Sequence, residues 1–292
     1  MARPAPAAAK ALKIIDLLVS HRGEQFTISD IARRTGSSLG SAHAVLAVLE
    51  ESGYLTRHPA RRTYGLGPAL VSAGTAALEQ HPAIRAATES IGPLAAELEA
   101  DVVVSAGTPT EIVSVAVGGT GSRYGPGFRE GERVPLVPPL GLVFMAWAPP
   151  PEVESWLARA PEAVDRDRVE LALSAVRGRG YALGLAPSVA GASVPGVGQA
   201  DRGRQRDRDR DTWTWTASFD NDYDLPVVDP GREYDLGMAS APVFDADGRV
   251  TVAITASGFS PGLGGTEVVR VAETVKACAT VVTKQTRGWF PA

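Results

Sequence analysis

The sequence predicts an α+β protein of two domains: an N-terminal winged helix-turn-helix, then a larger domain of antiparallel strands flanked by helices. Three observations predict it. Residues 27–66 read as a short helix, a glycine turn, a longer helix and a basic hairpin. Beyond residue 100, period-2 strand patterns and helical periodicities follow one another. Finally, 292 residues can bury two separate cores.

The N-terminal elements follow from local chemistry. Leu12, Ile15, Leu18 and Val19 have the spacing of a first helix. Thr27 with Asp30 three residues on resembles a capping box opening a second helix, with Ile28, Ile31 and Ala32 inward. Gly36 supplies the residue without a Cβ that a tight turn needs. Ser37 or Ser38 can cap the third helix, whose expected inward stripe is Leu39, Ala42, Leu46 and Leu49. Gly40, Ser41, Ala44 and Ala47 form the opposite face, small enough to let a helix approach a groove floor closely. Ser37, Ser38, Ser41 and His43 are the candidate DNA contacts on this segment, which holds no arginine or asparagine for bidentate base reading. After Gly53, Leu55–His58, a turn at Pro59 and Ala60, and Arg62–Leu66 make the wing. Arg57, Arg61 and Arg62 cluster there as candidate phosphate or minor-groove contacts, although a solvated turn would account for any one of them.

Charge agrees with that division. The net charge is −4, yet the residues through position 85 carry ten basic against six acidic side chains, +4, leaving −8 on the rest. Such asymmetry orients a protein on a polyanion. Composition is otherwise ordinary, with 44% hydrophobic and 21% charged residues. No apolar run approaches the ~20 residues of a membrane-spanning helix. Residues 1–10 are expected to be a disordered lead-in to a cytoplasmic protein with no membrane partner. A single cysteine, Cys278, excludes an intrachain disulfide and a cysteine zinc cluster. His21, His43, His58 and His81 lack metal-site spacing, so neither a metal nor a cofactor is expected.

The stretches ALKIIDLLVSH, TISDIARRTG, SAHAVLAVLEESGYL and YGLGPALVSAG resemble the DNA-binding domain of the IclR family of bacterial transcriptional regulators. Farther on, GERVPLVPPLGLVFMAW and APVFDADGRVTVAITASGF are similar to pieces of that family's C-terminal domain, so the resemblance spans nearly the whole chain. It implies a ligand-responsive regulator that binds double-stranded operator DNA as a homodimer or homotetramer. It also implies a GAF-like second domain that senses a small-molecule effector. Where the family usually has lysine, serine and arginine in the third helix, this chain has Leu39, Gly40 and Ala44. A sensor or scaffold that has lost specific DNA binding is therefore the alternative.

The expected boundaries are 1–72 for the winged helix domain, 73–88 for a linker helix and 89–292 for the GAF-like effector-binding domain. Pro68–Glu79 is expected as an alanine-rich helix broken by Pro82, and Ile84–Leu98 as the helix leading into the second domain, where Val102–Ala106 and Glu111–Val117 are strands and Gly118–Gly121 is a loop rather than a phosphate cradle. Helices are expected over Leu140–Trp147, Glu152–Leu157, Asp165–Arg179 and Thr266–Thr286, and a hairpin over Met238–Asp245 and Arg249–Ser257. A mobile insertion is expected at about 186–211, where glycine and alternating charge preclude a core, followed by a strand over Thr212–Phe219 with Trp213 and Trp215 on one face.

By positions matched to the family, the effector pocket is expected at Leu140, Gly141, Met238, Thr255 and Ser257, with Phe144, Trp147 or Trp215 nearby. Met238 stands where family members that bind small acids can have a cysteine, which implies a more apolar pocket. No catalytic residue is expected. A hydrolase built on Ser257 with Asp229, Asp235 or Asp245 would lack a histidine base, since none occurs after residue 81.

Overall fold

Proline at the first helical position and the alanines behind it start a helix before the expected one. Helix α1 covers Pro6–Ser20, so residues 6–10 are helix and not lead-in. The structure, a computed structural model, describes residues 5–21, 23–122, 124–160, 164–186 and 224–291. Two units divide the chain, residues 1–81 and 82–292. Most of the expected insertion, the Thr212–Phe219 strand, Trp213 and Trp215 lie outside the described residues.

In the first unit, Thr27 caps α2 (Ile28–Arg34) through the reciprocal bonds of a capping box. The Asp30 amide donates to Thr27 Oγ1 at 3.3 Å, and the Thr27 amide donates to Asp30 Oδ2 at 3.3 Å. Thr27 Oγ1 also donates to that carboxylate at 2.6 Å, the main cause of an Asp30 carboxyl held below its usual range. Gly36 takes φ +65° in the turn, and Ser38 caps α3 (Leu39–Glu51) by accepting from the Ser41 amide. Ile14, Leu18, Phe26, Ile31, Leu46, Leu49, Leu55 and Tyr64 make one small core.

Leu39 corrects the expected stripe. It is 56% exposed at the first residue of α3, while Ala42, Leu46 and Leu49 are buried as expected. Leu12 of α1 is likewise exposed, with Ile14 taking its place inward. The wing comprises β2 (Leu55–Arg57) and β3 (Thr63–Leu66), shorter than expected because His58–Arg62 form the turn. An unexpected strand, β1 (Phe26–Thr27), pairs with β3 and completes a three-stranded sheet in the order β1-β3-β2.

The helices expected over Pro68–Glu79 and Ile84–Leu98 are present, and the chain breaks between them at Pro82 as expected. Helix α4 (Pro68–Gln80) ends at His81, and α5 (Pro82–Leu98) begins anew at a proline that has no amide to donate. No residue of α4 is buried.

Six antiparallel strands form the sheet of the second unit: β4 (Asp101–Gly107), β5 (Glu111–Gly118), β6 (Arg133–Pro135), β7 (Ala182–Leu185), β9 (Leu236–Phe244) and β10 (Val250–Ser257). Their order is β6-β5-β4-β10-β9-β7; β8 (Glu233–Tyr234) pairs separately with β11 (Leu263–Gly264). Strand alternation divides the side chains between the two faces. Val252, Ile254 and Ala256 of β10, with Val102 and Val104 of β4, pack with α5 and α9 (Gly265–Gln285) in the larger core. Ala253, between them in sequence, joins the core beneath α6 (Leu142–Met145), α7 (Pro150–Leu157) and α8 (Arg166–Arg179). Helix α6 is only four residues long where Leu140–Trp147 was expected, because Gly141 precedes it in the left-handed region at φ +91°.

Replacing Thr27 by alanine removes the side-chain half of the capping box and leaves only the backbone amide of residue 27 to donate to Asp30. An expected loss of about 1 kcal/mol is measurable as faster amide exchange across α2, and unchanged protection would deny the box any part in holding that helix.

Candidate DNA-binding and effector sites

The third helix offers an outward face of Leu39, Gly40, His43, Ala44, Ala47 and Val48, all exposed. Ser38 is exposed but occupied as the cap, and Ser37 is half-buried, its Oγ accepting from Thr35 Oγ1 at 3.1 Å. Ser41 Oγ accepts from Lys10 Nζ at 2.7 Å, a contact that the sequence reading missed. Arg57, Arg61 and Arg62 are exposed on the wing. Arg57 lies over the Tyr64 ring at 5.6 Å, the Arg61 amide donates to His58 Nδ1, and Arg62 turns the chain at φ +52°. Two other arginines are engaged elsewhere: Arg33 pairs with Asp30 at 2.9 Å, and Arg34 covers Phe26 and donates to His21 Nε2. The unit thus presents a smooth helix face at one place and guanidinium groups at another.

In the second unit, a cavity of about 90 Å³ lies on the sheet face opposite α5 and α9. Four of the five expected effector residues line it: Leu140, Gly141, Met238 and Thr255. Phe144 also lines it, whereas Trp147 borders a separate groove. Opposite one another on β9 and β10, Ser240 and Thr255 share a buried hydroxyl bond of 2.7 Å.

Ser257 is not brought into the cavity. It shares the side of Thr255 by alternation but is fully buried at the end of β10, next to the loop that closes that end. There Ser122 Oγ donates to the Gly258 carbonyl at 2.6 Å, and Asp101 accepts from the Gly121 and Ser122 amides. The carboxylates once paired with Ser257 in the hydrolase reading serve turns instead. Asp229 accepts from the Gly231 amide, Asp235 from Gly262, and Asp245 from Asp247 and Arg249. Cys278 donates to Ser90 Oγ, and burial pushes its thiol up, away from the reactive thiolate.

Three donors pin the segment that forms the cavity's roof. Arg159 Nη2 donates to the Leu136 carbonyl at 3.1 Å, Trp156 Nε1 to Leu140 at 3.0 Å, and Arg177 Nε to Ala146. Gly141 is required between them, since a Cβ there would lie 2.2 Å from Leu136 Cδ1. These supports come from α7, from the residues just past its end and from α8, and the sequence reading assigned none of them.

Asp224 is the other residue it missed. It bridges to Gly184 of β7 and lines the cavity, and its Oδ1 is buried without a hydrogen-bond partner. Burial pushes its carboxyl up to about 7, against the opposing pull of Arg179 and Arg168. Arg179 spends its donors on the carbonyls of Tyr181, Leu225 and Pro226.

The two units together define a winged helix-turn-helix joined to a GAF-like α/β domain. Residues 7–59 match the IclR helix-turn-helix domain. An IclR transcriptional regulator of Alicyclobacillus acidocaldarius shares the fold with a TM-score of 0.67 at 20% identity, covering 97% of this chain and 100% of that one. An IclR homologue of Microbacterium hydrocarbonoxydans, complexed with 4-hydroxybenzoate, aligns with a TM-score of 0.64 at 15% identity over 96% and 99% of the two chains. For the Thermotoga maritima IclR the values are 0.58, 18%, 96% and 98%. No curated protein sequence matches the chain. The chain thus carries an IclR helix-turn-helix domain at residues 7–59 and shares its fold with the solved IclR proteins. Among the described residues no helix is long and apolar enough to cross a membrane, and no group of three His, Cys, Asp or Glu side chains could hold a metal.

Asp224 binds its proton more tightly in the folded chain than in the unfolded one. Its contribution to stability is therefore full below about pH 4 and is lost as pH rises through about 7. Asp224→Asn should accordingly raise Tm at about pH 8, with the gain over the parent shrinking toward about pH 4.5. No gain at the higher pH would show that this carboxylate is stabilised by other means.

Proposed function

We propose that the protein is a ligand-responsive regulator that binds double-stranded operator DNA in the cytoplasm as a homodimer or homotetramer, with its second unit sensing a small molecule. The observation that carries the DNA reading is α3 itself: a capped helix with an exposed face of small and apolar residues, beside three exposed wing arginines, within the segment matching the IclR domain. Ser37, Ser38, Ser41 and His43 stand near the leading end of the helix, where base edges are met, and Leu39 can lie against a thymine methyl. Arg57, Arg61 and Arg62 are assigned to phosphates. Two such units meet half-sites ~34–36 Å apart, or a multiple of that spacing.

Leu140, Gly141, Met238 and Thr255 are the proposed effector contacts, and Ser257 a buried support at the strand end. The 4-hydroxybenzoate bound by the Microbacterium homologue supports a small organic effector for this cavity too. Such a ligand alters DNA binding only by favouring one arrangement of the DNA-binding units over another. The alternative, a sensor without specific DNA binding, is favoured by the lack of arginine or asparagine on the exposed face of α3.

Fluorescence anisotropy with duplex DNA from upstream of its own gene separates the two. A regulator binds at low salt and loses affinity steeply as salt rises. Alanine at Arg57, Arg61 and Arg62 together should weaken binding across sequences and flatten the salt dependence, by roughly one unit of log–log slope per lost phosphate contact. No binding to this DNA at low salt would favour the sensor, and unchanged affinity in the triple variant would remove the wing from the interface.

A further inference from the structure

The charge at the cavity determines which effector it accepts, on the reading that the cavity is the effector site. Its walls are mainly apolar, with Val103, Ile112, Leu140, Phe144 and Met238 among them. Two acidic residues, Glu132 and Asp224, line it as well. Among the described lining residues there is no lysine, arginine or histidine.

The hydroxyls of Ser240 and Thr255 already bond one another. Glu132 accepts from the Arg129 amide at 3.1 Å. Asp224 is differently placed, because its Oδ1 is buried and has no donor. Two arginines, Arg179 and Arg168, pull on it from nearby; Arg179 is turned to three backbone carbonyls, and Leu225 is fixed beside Asp224 by donating its amide to Leu183. A buried carboxylate oxygen with no donor is costly, and a ligand that brings a donor, above all a charged one, removes that cost. A carboxylate ligand would bring like charge to the same wall.

We infer that the cavity binds a small organic cation, a primary amine on a compact apolar or aromatic body, with its ammonium donating to Asp224 and its body between Leu140, Phe144 and Met238. A cavity of about 90 Å³ suits a single ring with a short arm. Asp224 becomes the residue that selects the ligand, and the apolar walls contribute affinity without choosing charge.

Isothermal titration of the full-length protein with benzylamine, benzyl alcohol and benzoate tests this, because the three share a ring and differ in charge. Benzylamine should bind most tightly. Asp224→Asn should weaken it at least tenfold while changing benzyl alcohol little, with circular dichroism confirming that the variant is folded. Met238→Trp, which fills the cavity, should abolish binding of all three. Benzoate binding more tightly than benzylamine, and blocked by Met238→Trp, would overturn the charge assignment while leaving the effector site standing. Binding of no probe, or binding indifferent to Met238→Trp, would overturn both.

Discussion

The central strand β10 has to satisfy two interiors at once, and much of the second unit follows from that. Its neighbours β4 and β9 are paired to it residue by residue, so a one-residue slip would exchange the sides on which Ile254 and Thr255 lie. On one side the aliphatic residues meet α5 and α9 in a dry core. On the other, Ala253 is covered by helices, and Thr255 is left beneath the cavity. The bond between Ser240 and Thr255 gives each of these covered hydroxyl oxygens a hydrogen-bond partner. The strand that builds the core therefore also supplies the cavity floor.

The roof depends on a different kind of constraint. A left-handed glycine cannot continue a helix from its N-terminal side, so Leu136–Gly141 stays irregular and its carbonyls need donors. Trp156 of α7 and Arg159 just past its end supply them at Leu140 and Leu136, while Arg177 of α8 holds the Ala146 carbonyl after α6, and neither α7 nor α8 lines the cavity. Helix α7 opens on prolines and α8 is capped by Asp165, so each begins at a defined residue and projects its donor from a fixed turn.

Which features could be read in the sequence depends on the range of their causes. Thr27 with Asp30, Gly36, Ser38 and Gly53 mark helix boundaries through chemistry contained within a few residues, and each of those boundaries was legible. The first strand was not, since two residues at Phe26–Thr27 become a strand only by pairing with Tyr64 and Thr63 far along the chain. Leu39 was misplaced because a wheel assigns side by angle alone, while the first residue of a helix has no preceding turn to bury it. At the cavity, the family resemblance led to Leu140, Gly141, Met238 and Thr255. Asp224 stayed hidden, because it follows Asp220 and Asp222 in a stretch whose acids all look equally solvated. Only its bridge to Gly184 sets it apart.

The bond from Lys10 to Ser41 has a consequence for the grammar of the outward helix face. A serine hydroxyl is ordinarily ambidextrous, able to give a proton or to receive one. An ammonium group can only give, so with Lys10 in place one lone pair of Ser41 is occupied and its own proton is turned elsewhere. On the proposed DNA interface that side chain keeps its proton and a single lone pair, so the balance tips toward giving. That bias favours the acceptors of guanine, of thymine or at purine N7 over the amino group of cytosine.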